Sequence, residues 1–190
     1  TWNVIEKGLQ VQGAGTAGTV VASINANGQL VISGTANTNY WGGRTLQTTG
    51  ALLSDFQATV AVDRISLAGS GSAYRSSLWI WGDDTHYLHF SQNIGENGWQ
   101  YNYSDGGIGA PTGGGINISV LDAIDGDGGA HGMMLVFLPT GATAATIEMY
   151  LDGQLVASQN FTNWTADAFR ILLTGQGRQT SRWAAARWVS

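Results

Sequence analysis

The segment from Ser77 to Tyr103 constrains the fold more than any other part of the chain, because it contains three successive runs that alternate with a period of two. Side chains on a β-strand point to opposite faces in turn, so this pattern predicts three strands that each have one buried face. Short stretches rich in glycine, aspartate and asparagine separate the runs, as expected for turns. The segment therefore predicts three neighbouring antiparallel strands.

One face of this predicted sheet is strongly aromatic. If Leu78, Ile80, Leu88 and Phe90 face the core, the opposite face carries two tryptophans, a tyrosine and a histidine, and the third run can add three more rings. The candidate ligand-binding residues are these seven side chains: Trp79, Trp81, Tyr87, His89, Trp99, Tyr101 and Tyr103. The pattern fits a flat binding surface and a second buried layer equally well.

The rest of the chain supplies more strand candidates at intervals of roughly ten residues. Residues 19–34 and 146–156 predict hairpins, the second closed by Asp152 and Gly153. The apolar run Met133–Leu138 predicts a central strand covered on both faces, and the glycines of residues 105–115 predict a loop. No segment has helical periodicity with caps. We therefore expect an all-β fold, a two-sheet antiparallel β-sandwich forming one domain over residues 1–190.

Charge and composition limit the classes of function. Only 11% of the residues are charged, against about 25% in an average soluble protein, and the net charge is −5. An acidic chain is a poor partner for nucleic acid. No apolar run approaches the roughly 18 residues of a membrane span, which argues against membrane insertion. The low charge suits a secreted or cell-surface protein, and also a protein that packs against its own copies. The absence of cysteine is neutral about the compartment, since bacterial secreted proteins often lack disulfides and a cytosolic chain can lack them too.

Three segments carry a resemblance to a known superfamily. DFQATVAVDRI, SSLWIWGDDTHYLHF, and IEMYLDGQLVAS followed by FRILLTG resemble the concanavalin A-like, laminin-G-like jelly rolls, over roughly residues 51–189. The resemblance implies two stacked, curved antiparallel sheets, with sugars bound on the concave face or at the loop edge. Its members include lectins, carbohydrate-binding modules, glycoside hydrolases and structural adhesive domains, so the fold leaves the function open.

Catalysis is the least supported of the functions that the resemblance allows. Glycoside hydrolysis needs two carboxylates that flank the scissile bond, and hydrolases of this fold use a Glu-x-Asp-x-x-Glu strand motif. The three glutamates, Glu6, Glu96 and Glu148, lie outside any such motif. Alternation also places His86 and His89 on opposite faces, so they cannot act together as acid and base. We therefore name no catalytic residue.

An acidic loop offers candidate metal ligands. Asp125 and Asp127 lie in the sequence DAIDGDGG, and carboxylate oxygens are the ligands that Ca²⁺ prefers. Solvated turn aspartates explain the same pattern.

Two hypotheses about function lead. The first is a secreted or cell-surface carbohydrate-binding, lectin-like domain whose partner is a glycan held on the concave aromatic face. The alternative is a self-associating extracellular structural subunit of a filament, coat or adhesive, whose partners are copies of itself. A glycoside hydrolase or polysaccharide lyase is the third possibility.

Overall fold

The computed structural model describes residues 2–5, 21–24, 26, 30–35, 42–48, 56–63, 74–94, 98–109, 116–118, 130–165, 169–177 and 182–183. Throughout these ranges the regular structure consists of β-strands, and every strand pairing is antiparallel. The described part of the chain contains no helix long and apolar enough to cross a bilayer.

The larger sheet has eight strands. In spatial order they are β1 (Trp2–Ile5), β4 (Gly42–Thr48), β14 (Arg170–Gly177), β6 (Tyr74–Asp83), β7 (His86–Ile94), β8 (Gly98–Asp105) and β10 (Ile116–Asn117), while β9 (Ile108–Gly109) pairs with β8. The three strands expected from residues 77–103 are thus adjacent in this sheet. The glycine-rich segment after Asp105 was expected to be a loop, and this is wrong at β9, which folds back onto β8.

Two smaller sheets complete the described structure. The four-stranded sheet has the order β13 (Gln154–Phe161), β12 (Ala145–Leu151), β11 (Ala130–Pro139) and β5 (Phe56–Asp63). The three-stranded sheet has the order β15 (Arg182–Trp183), β3 (Leu30–Thr35) and β2 (Val21–Ile24). The pairing of β2 with β3 and of β12 with β13 confirms the two expected hairpins.

The main core lies between the eight-stranded and the four-stranded sheets. Leu78, Ile80, Leu88 and Phe90 of the large sheet are buried, as their alternation predicts. They share one apolar cluster with side chains of the facing sheet: Met133, Leu135, Phe137, Ile147, Met149 and Leu151. The all-β sandwich expected from the sequence is confirmed.

The outward face of the four-stranded sheet is less covered than the sequence predicts. β11 alternates between buried residues and more open ones, because Met134 and Val136 are half-buried and Leu138 is 37% exposed. A continuous apolar run therefore does not mark a strand covered on both faces here, and that expectation is wrong.

Candidate functional site

Four rings of β6 and β7 lie together on the outer face of the eight-stranded sheet, which is the face turned away from the four-stranded sheet. Trp79 pairs across the strands with His89, and Trp81 pairs with Tyr87. We call these four residues the aromatic cluster. Because their neighbours Leu78, Ile80, Leu88 and Phe90 face the core, strand alternation turns all four rings outward.

The cluster is closely packed. The rings of Trp79 and His89 are stacked, with centroids 4.3 Å apart and planes 24° apart. Tyr87 lies beside Trp79, with ring centroids 5.5 Å apart. The side chain of Leu172, opposite Trp79 on β14, packs against the same rings. Ser91 joins the group through a 2.8 Å hydrogen bond between its hydroxyl and Nδ1 of His89.

Burial separates one member of the aromatic cluster from the other three. Trp79 is 6% exposed, and Tyr87 and His89 are each 2% exposed. Trp81, at the end of the cluster next to the β6–β7 turn, is half-buried. The cluster is therefore mostly an interior layer, and a ligand in solution would meet it at Trp81.

The rings of the third strand do not join the aromatic cluster. Tyr101 pairs with Phe90, and Tyr103 pairs with Leu88, so both lie on the core face of the sheet, and Trp99 follows in the same alternation. Trp99 and Tyr101 are part of the main core, and Tyr103 packs against it. The expectation that this strand adds three rings to the binding face is therefore wrong, because pairing shifted by one residue moves every side chain to the other face.

Polar side chains of β8 take the place of those rings on the outer face. Gln100, Asn102 and Ser104 pair with Ser91, His89 and Tyr87, and all three are buried. Within the described part of the chain, the indole Nε1 of Trp79 and the side-chain oxygen of Asn102 have no hydrogen-bond partner. These two groups, a donor and an acceptor, lie on either side of His89.

Charged groups flank the half-buried ring of Trp81. Arg170 of β14 lies directly opposite Trp81 and is half-buried, and Asp84 is exposed in the adjoining turn. Burial, together with the negative charge of Asp84, raises the pKa of Tyr87 to about 12. The open end of the cluster thus combines an indole ring at the end of β6, a guanidinium at the start of β14 and a carboxylate in the β6–β7 turn.

Hydrogen bonds fix the turn that holds Asp84. The carboxylate of Asp83 accepts the backbone N–H of Thr85 at 2.7 Å and the Thr85 hydroxyl at 2.8 Å, and lies 2.9 Å from Nδ1 of His86. Partial burial raises the pKa of Asp83, but these hydrogen bonds outweigh it and the net pKa is lowered. The Nε2 atom of His86 in turn lies 3.0 Å from the Thr165 hydroxyl. Through these contacts, Asp83 and His86 fix the shape of the turn.

The two histidines of β7 lie on opposite sides of the sheet. His86 contacts the ring of Trp164 edge-on, at a centroid distance of 6.1 Å, whereas His89 stacks on Trp79. Trp164 belongs to the main core. The geometry agrees with the expectation that these two imidazoles cannot act as a pair.

Other candidate groups from the sequence lie elsewhere. Glu148 projects from the outward face of β12 and accepts a 2.7 Å hydrogen bond from the Tyr150 hydroxyl, on the sheet opposite the aromatic cluster. Asp125 and Asp127 lie outside the described residues. Within the described ranges, no group of three or more His, Asp or Glu side chains is placed to hold a metal ion.

One of the residues that flank Trp81, Arg170, escaped the sequence analysis. Arg170 lies beside Trp81 because β14 pairs with β6, and these strands are separated by more than eighty residues of sequence, so periodicity gives no signal for the pairing. Asp84 lies in a turn rich in acidic residues, where a solvated side chain is the usual interpretation.

Similarities to known proteins lie in structure alone. No family model matches the chain, and no curated protein sequence matches it. A Bacillus licheniformis β-glucanase superposes with a TM-score of 0.61 at 15% identity, covering 98% of this chain and 89% of that one. The carbohydrate recognition domain of Emp46p, in a potassium-bound form, gives 0.60 at 11% identity, covering 97% and 85%.

Lectin UEA-II in complex with galactose superposes with a TM-score of 0.53 at 6% identity, covering 98% of this chain and 96% of that one. At these identities the likeness concerns the fold. The chain has the concanavalin A-like jelly-roll fold that its sequence resembles.

Proposed function

We propose that this chain is a carbohydrate-binding, lectin-like domain that works outside the cell or at its surface and holds its glycan at Trp81. The observation that carries the proposal is the open end of the aromatic cluster. There, a half-buried indole lies between the guanidinium-bearing Arg170 and the exposed carboxylate of Asp84.

The chemistry of these three side chains suits a sugar. One face of a pyranose ring is a flat array of C–H groups, which packs against an indole face through apolar and polarised contacts. Sugar hydroxyls both donate and accept hydrogen bonds. A guanidinium supplies donors in a fixed plane, and a carboxylate supplies acceptors. The ring of Trp81 therefore supplies contact area, while Arg170 and Asp84 supply hydrogen bonds that orient the sugar.

The rest of the aromatic cluster holds Trp81 in place. Trp81 packs against the group formed by Trp79, Tyr87 and Leu172. Trp79 is itself stacked on His89, and both side chains are buried. A platform that is already ordered loses little conformational entropy when a ligand binds.

The names of similar structures support the same class of ligand. One is a β-glucanase, one is a carbohydrate recognition domain, and one is a lectin bound to galactose. The low charge of the chain, 11% of its residues, supports work outside the cell, since polarity must then come from Ser, Thr, Asn, Gln and Gly.

The decisive variant is Trp81→Ala, titrated with β-glucan oligosaccharides and with galactose-containing oligosaccharides. We expect affinity to fall by about 1–3 kcal/mol, the range found when an aromatic stacking partner is removed from other ligand classes. The matched control is Tyr150→Ala, which removes a half-buried ring from the other sheet and should leave the affinity unchanged.

Three measurements on Trp81→Ala separate the competing hypotheses. A loss of affinity with little change in unfolding midpoint supports the sugar site. A loss of about 3–5 kcal/mol in stability would instead mean that the ring is interior filling. A shift in sedimentation towards monomer, with no measurable glycan binding in either form, would mean a contact between copies.

We also propose that the loop holding Asp125 and Asp127 binds Ca²⁺. The proposal rests on the oxygen-ligand chemistry of the sequence, since both residues lie outside the described ranges. A metal that binds the native state raises its stability by mass action. Millimolar Ca²⁺ should therefore raise the melting temperature relative to chelator, and the double variant Asp125→Asn, Asp127→Asn should abolish the difference. Equal melting temperatures in Ca²⁺ and chelator would exclude the site.

A further inference from the structure

The strand β13 forms one edge of the four-stranded sheet and has an unusual sequence for that position. It runs from Gln154 to Phe161, and its partner among the described residues is β12 alone. Its sequence, QLVASQNF, contains no charged residue and no proline. Its first five positions are all exposed or half-buried, and Leu155 is 50% exposed.

Edge strands present a row of unpaired N–H and C=O groups that another strand can pair with. Proteins commonly block such pairing with lysine or another charge, with proline, or with a bulge. β13 lacks the first two devices. It has a bulge where Tyr150 pairs with Leu155 and Met149 pairs with Ala157, and this leaves Val156 without an opposite residue.

The bulge protects only one end of the strand. From Ala157 to Phe161, β13 pairs residue by residue with β12 in regular register. One other device is present within this stretch: the side-chain amide of Gln159 donates a 2.8 Å hydrogen bond to the carbonyl oxygen of Asn160. That contact is exposed, and rotation of the Gln159 side chain releases the carbonyl at the cost of the 3.4 Å hydrogen bond that its Oε1 accepts from the Tyr101 hydroxyl.

We propose that a second copy of this chain pairs with β13 edge to edge, strand against antiparallel strand. The pair would join two four-stranded sheets into one continuous sheet of eight strands. A two-fold axis makes such an interface self-complementary, because each copy offers the other the same strand in the opposite direction.

Charge favours a copy of the same strand as the occupant. When identical strands pair antiparallel about a two-fold axis, the residues at the axis face their own copies, so a charge there would lie directly opposite a like charge, and such a contact destabilises a sheet. An uncharged strand avoids this repulsion. Exposed apolar surface adjoins the edge as well, since Leu155 pairs with the half-buried Tyr150 of β12.

The interface would leave the proposed sugar site open. Trp81 lies on the outer face of the eight-stranded sheet, whereas β13 belongs to the sheet on the other side of the core. Association of two copies would therefore present two sugar sites together, and linked sites gain avidity when both can engage one glycan. The association itself does not depend on the sugar proposal.

The first experiment is sedimentation equilibrium of the whole chain without added ligand, over a range of concentrations. We expect a monomer–dimer equilibrium in the unmodified protein. Ser158→Lys should weaken association at least about tenfold by placing a charge on the edge. The matched control is Thr140→Lys, because Thr140 is exposed in the β11–β12 connection of the same sheet but lies away from the edge.

The second experiment uses the absence of cysteine in the chain. Ser158→Cys introduces a single thiol on the edge strand and should form disulfide-linked dimers under mild oxidation, whereas Thr140→Cys should not. A monomer at every concentration up to about 1 mM would overturn the proposal, as would equal association of Ser158→Lys and the unmodified protein.

The two proposals fail independently. Ser158→Lys should retain the glycan affinity of the unmodified chain for each individual site, and Trp81→Ala should retain its association. A dimer lost in Trp81→Ala but kept in Ser158→Lys would place the contact on the aromatic cluster and overturn the assignment to β13.

Discussion

The imidazole of His89 lies flat against the indole of Trp79, with ring centroids 4.3 Å apart, and both side chains are more than nine-tenths buried. This pair divides the aromatic cluster into two parts with different physical roles. Its closed part is a second apolar layer on the outer face of the sheet. Its open end is Trp81, which is half-buried and reached by solvent.

The two tryptophans of the cluster should therefore respond differently to truncation. Trp79→Ala removes a buried indole and should cost about 3–5 kcal/mol of unfolding free energy. Trp81→Ala removes a ring that is already partly solvated and should cost less. Chemical denaturation of both variants measures the difference. Equal losses would show that Trp81 is as much a part of the interior as Trp79.

Tyr87 should make stability depend on alkaline pH. Its pKa is raised from the ordinary value of 10.0 to about 12, first by burial and then by the charge of Asp84. The native state thus keeps the phenol proton at pH values where the unfolded chain has lost it. The stabilising contribution is complete below about pH 10 and is lost as pH rises towards 12, amounting to no more than about 2–3 kcal/mol.

The variant Tyr87→Phe isolates this effect. At neutral pH its unfolding free energy should be close to that of the unmodified chain, and between pH 10 and 12 the variant should lose less stability. Other tyrosines titrate in both proteins and cancel in the comparison. Parallel pH profiles for the two proteins would contradict the assignment.

The strands were predictable from sequence, but the face of each strand was only partly so. Leu78 and Ile80 are both aliphatic and alternate with tryptophans, so one choice of core face was consistent along β6. In β8 the rings of Trp99 and Tyr101 alternate with amides, and the same rule of apolar residues inward places them in the core. The three rings of β8 were assigned to the wrong face because they were grouped with the other aromatic residues by chemistry. The register between neighbouring strands decides which residues share a face, and the turn that joins the strands sets that register.

The pairing of Trp81 with Arg170 shows a second limit of prediction from local sequence patterns. Trp81 was identified because it belongs to a run with local periodicity, whereas Arg170 reaches the same place through a pairing between β6 and β14. Local alternation reports which residues of one strand share a face. It carries no information on which distant strand lies alongside, so long-range neighbours require the folded structure.

Asp105 should be a strong stabiliser of the connection after β13. Its carboxylate is buried and accepts the backbone N–H groups of Thr162 at 2.8 Å and of Asn163 at 3.0 Å. Asp105→Ala leaves both donors without this acceptor and should cost about 2–4 kcal/mol in urea unfolding. Asp105→Asn keeps one acceptor oxygen and should cost less. A larger loss of unfolding free energy in Asp105→Asn than in Asp105→Ala would refute this role.

Asp152, in the turn between β12 and β13, has a positive backbone angle, φ 50°. Its carboxylate accepts the backbone N–H of Gly132 at 2.8 Å and lies 2.9 Å from Nδ1 of the buried His131. Aspartate and asparagine tolerate this left-handed conformation better than alanine does. Asp152→Asn retains both the conformational tolerance and an acceptor for Gly132.

We therefore expect Asp152→Asn to cost no more than about 1 kcal/mol and Asp152→Ala to cost about 2–3 kcal/mol, because alanine loses both hydrogen bonds and is strained at this angle. Asp152→Gly separates the two causes, since glycine loses the hydrogen bonds but adopts positive φ freely. Unfolding free energies in the order Asn, Gly, Ala, from most to least stable, would support this account. If Asp152→Gly lost as much stability as Asp152→Ala, backbone strain would make no contribution. The lost hydrogen bonds to Gly132 and His131 would then explain the whole loss of stability.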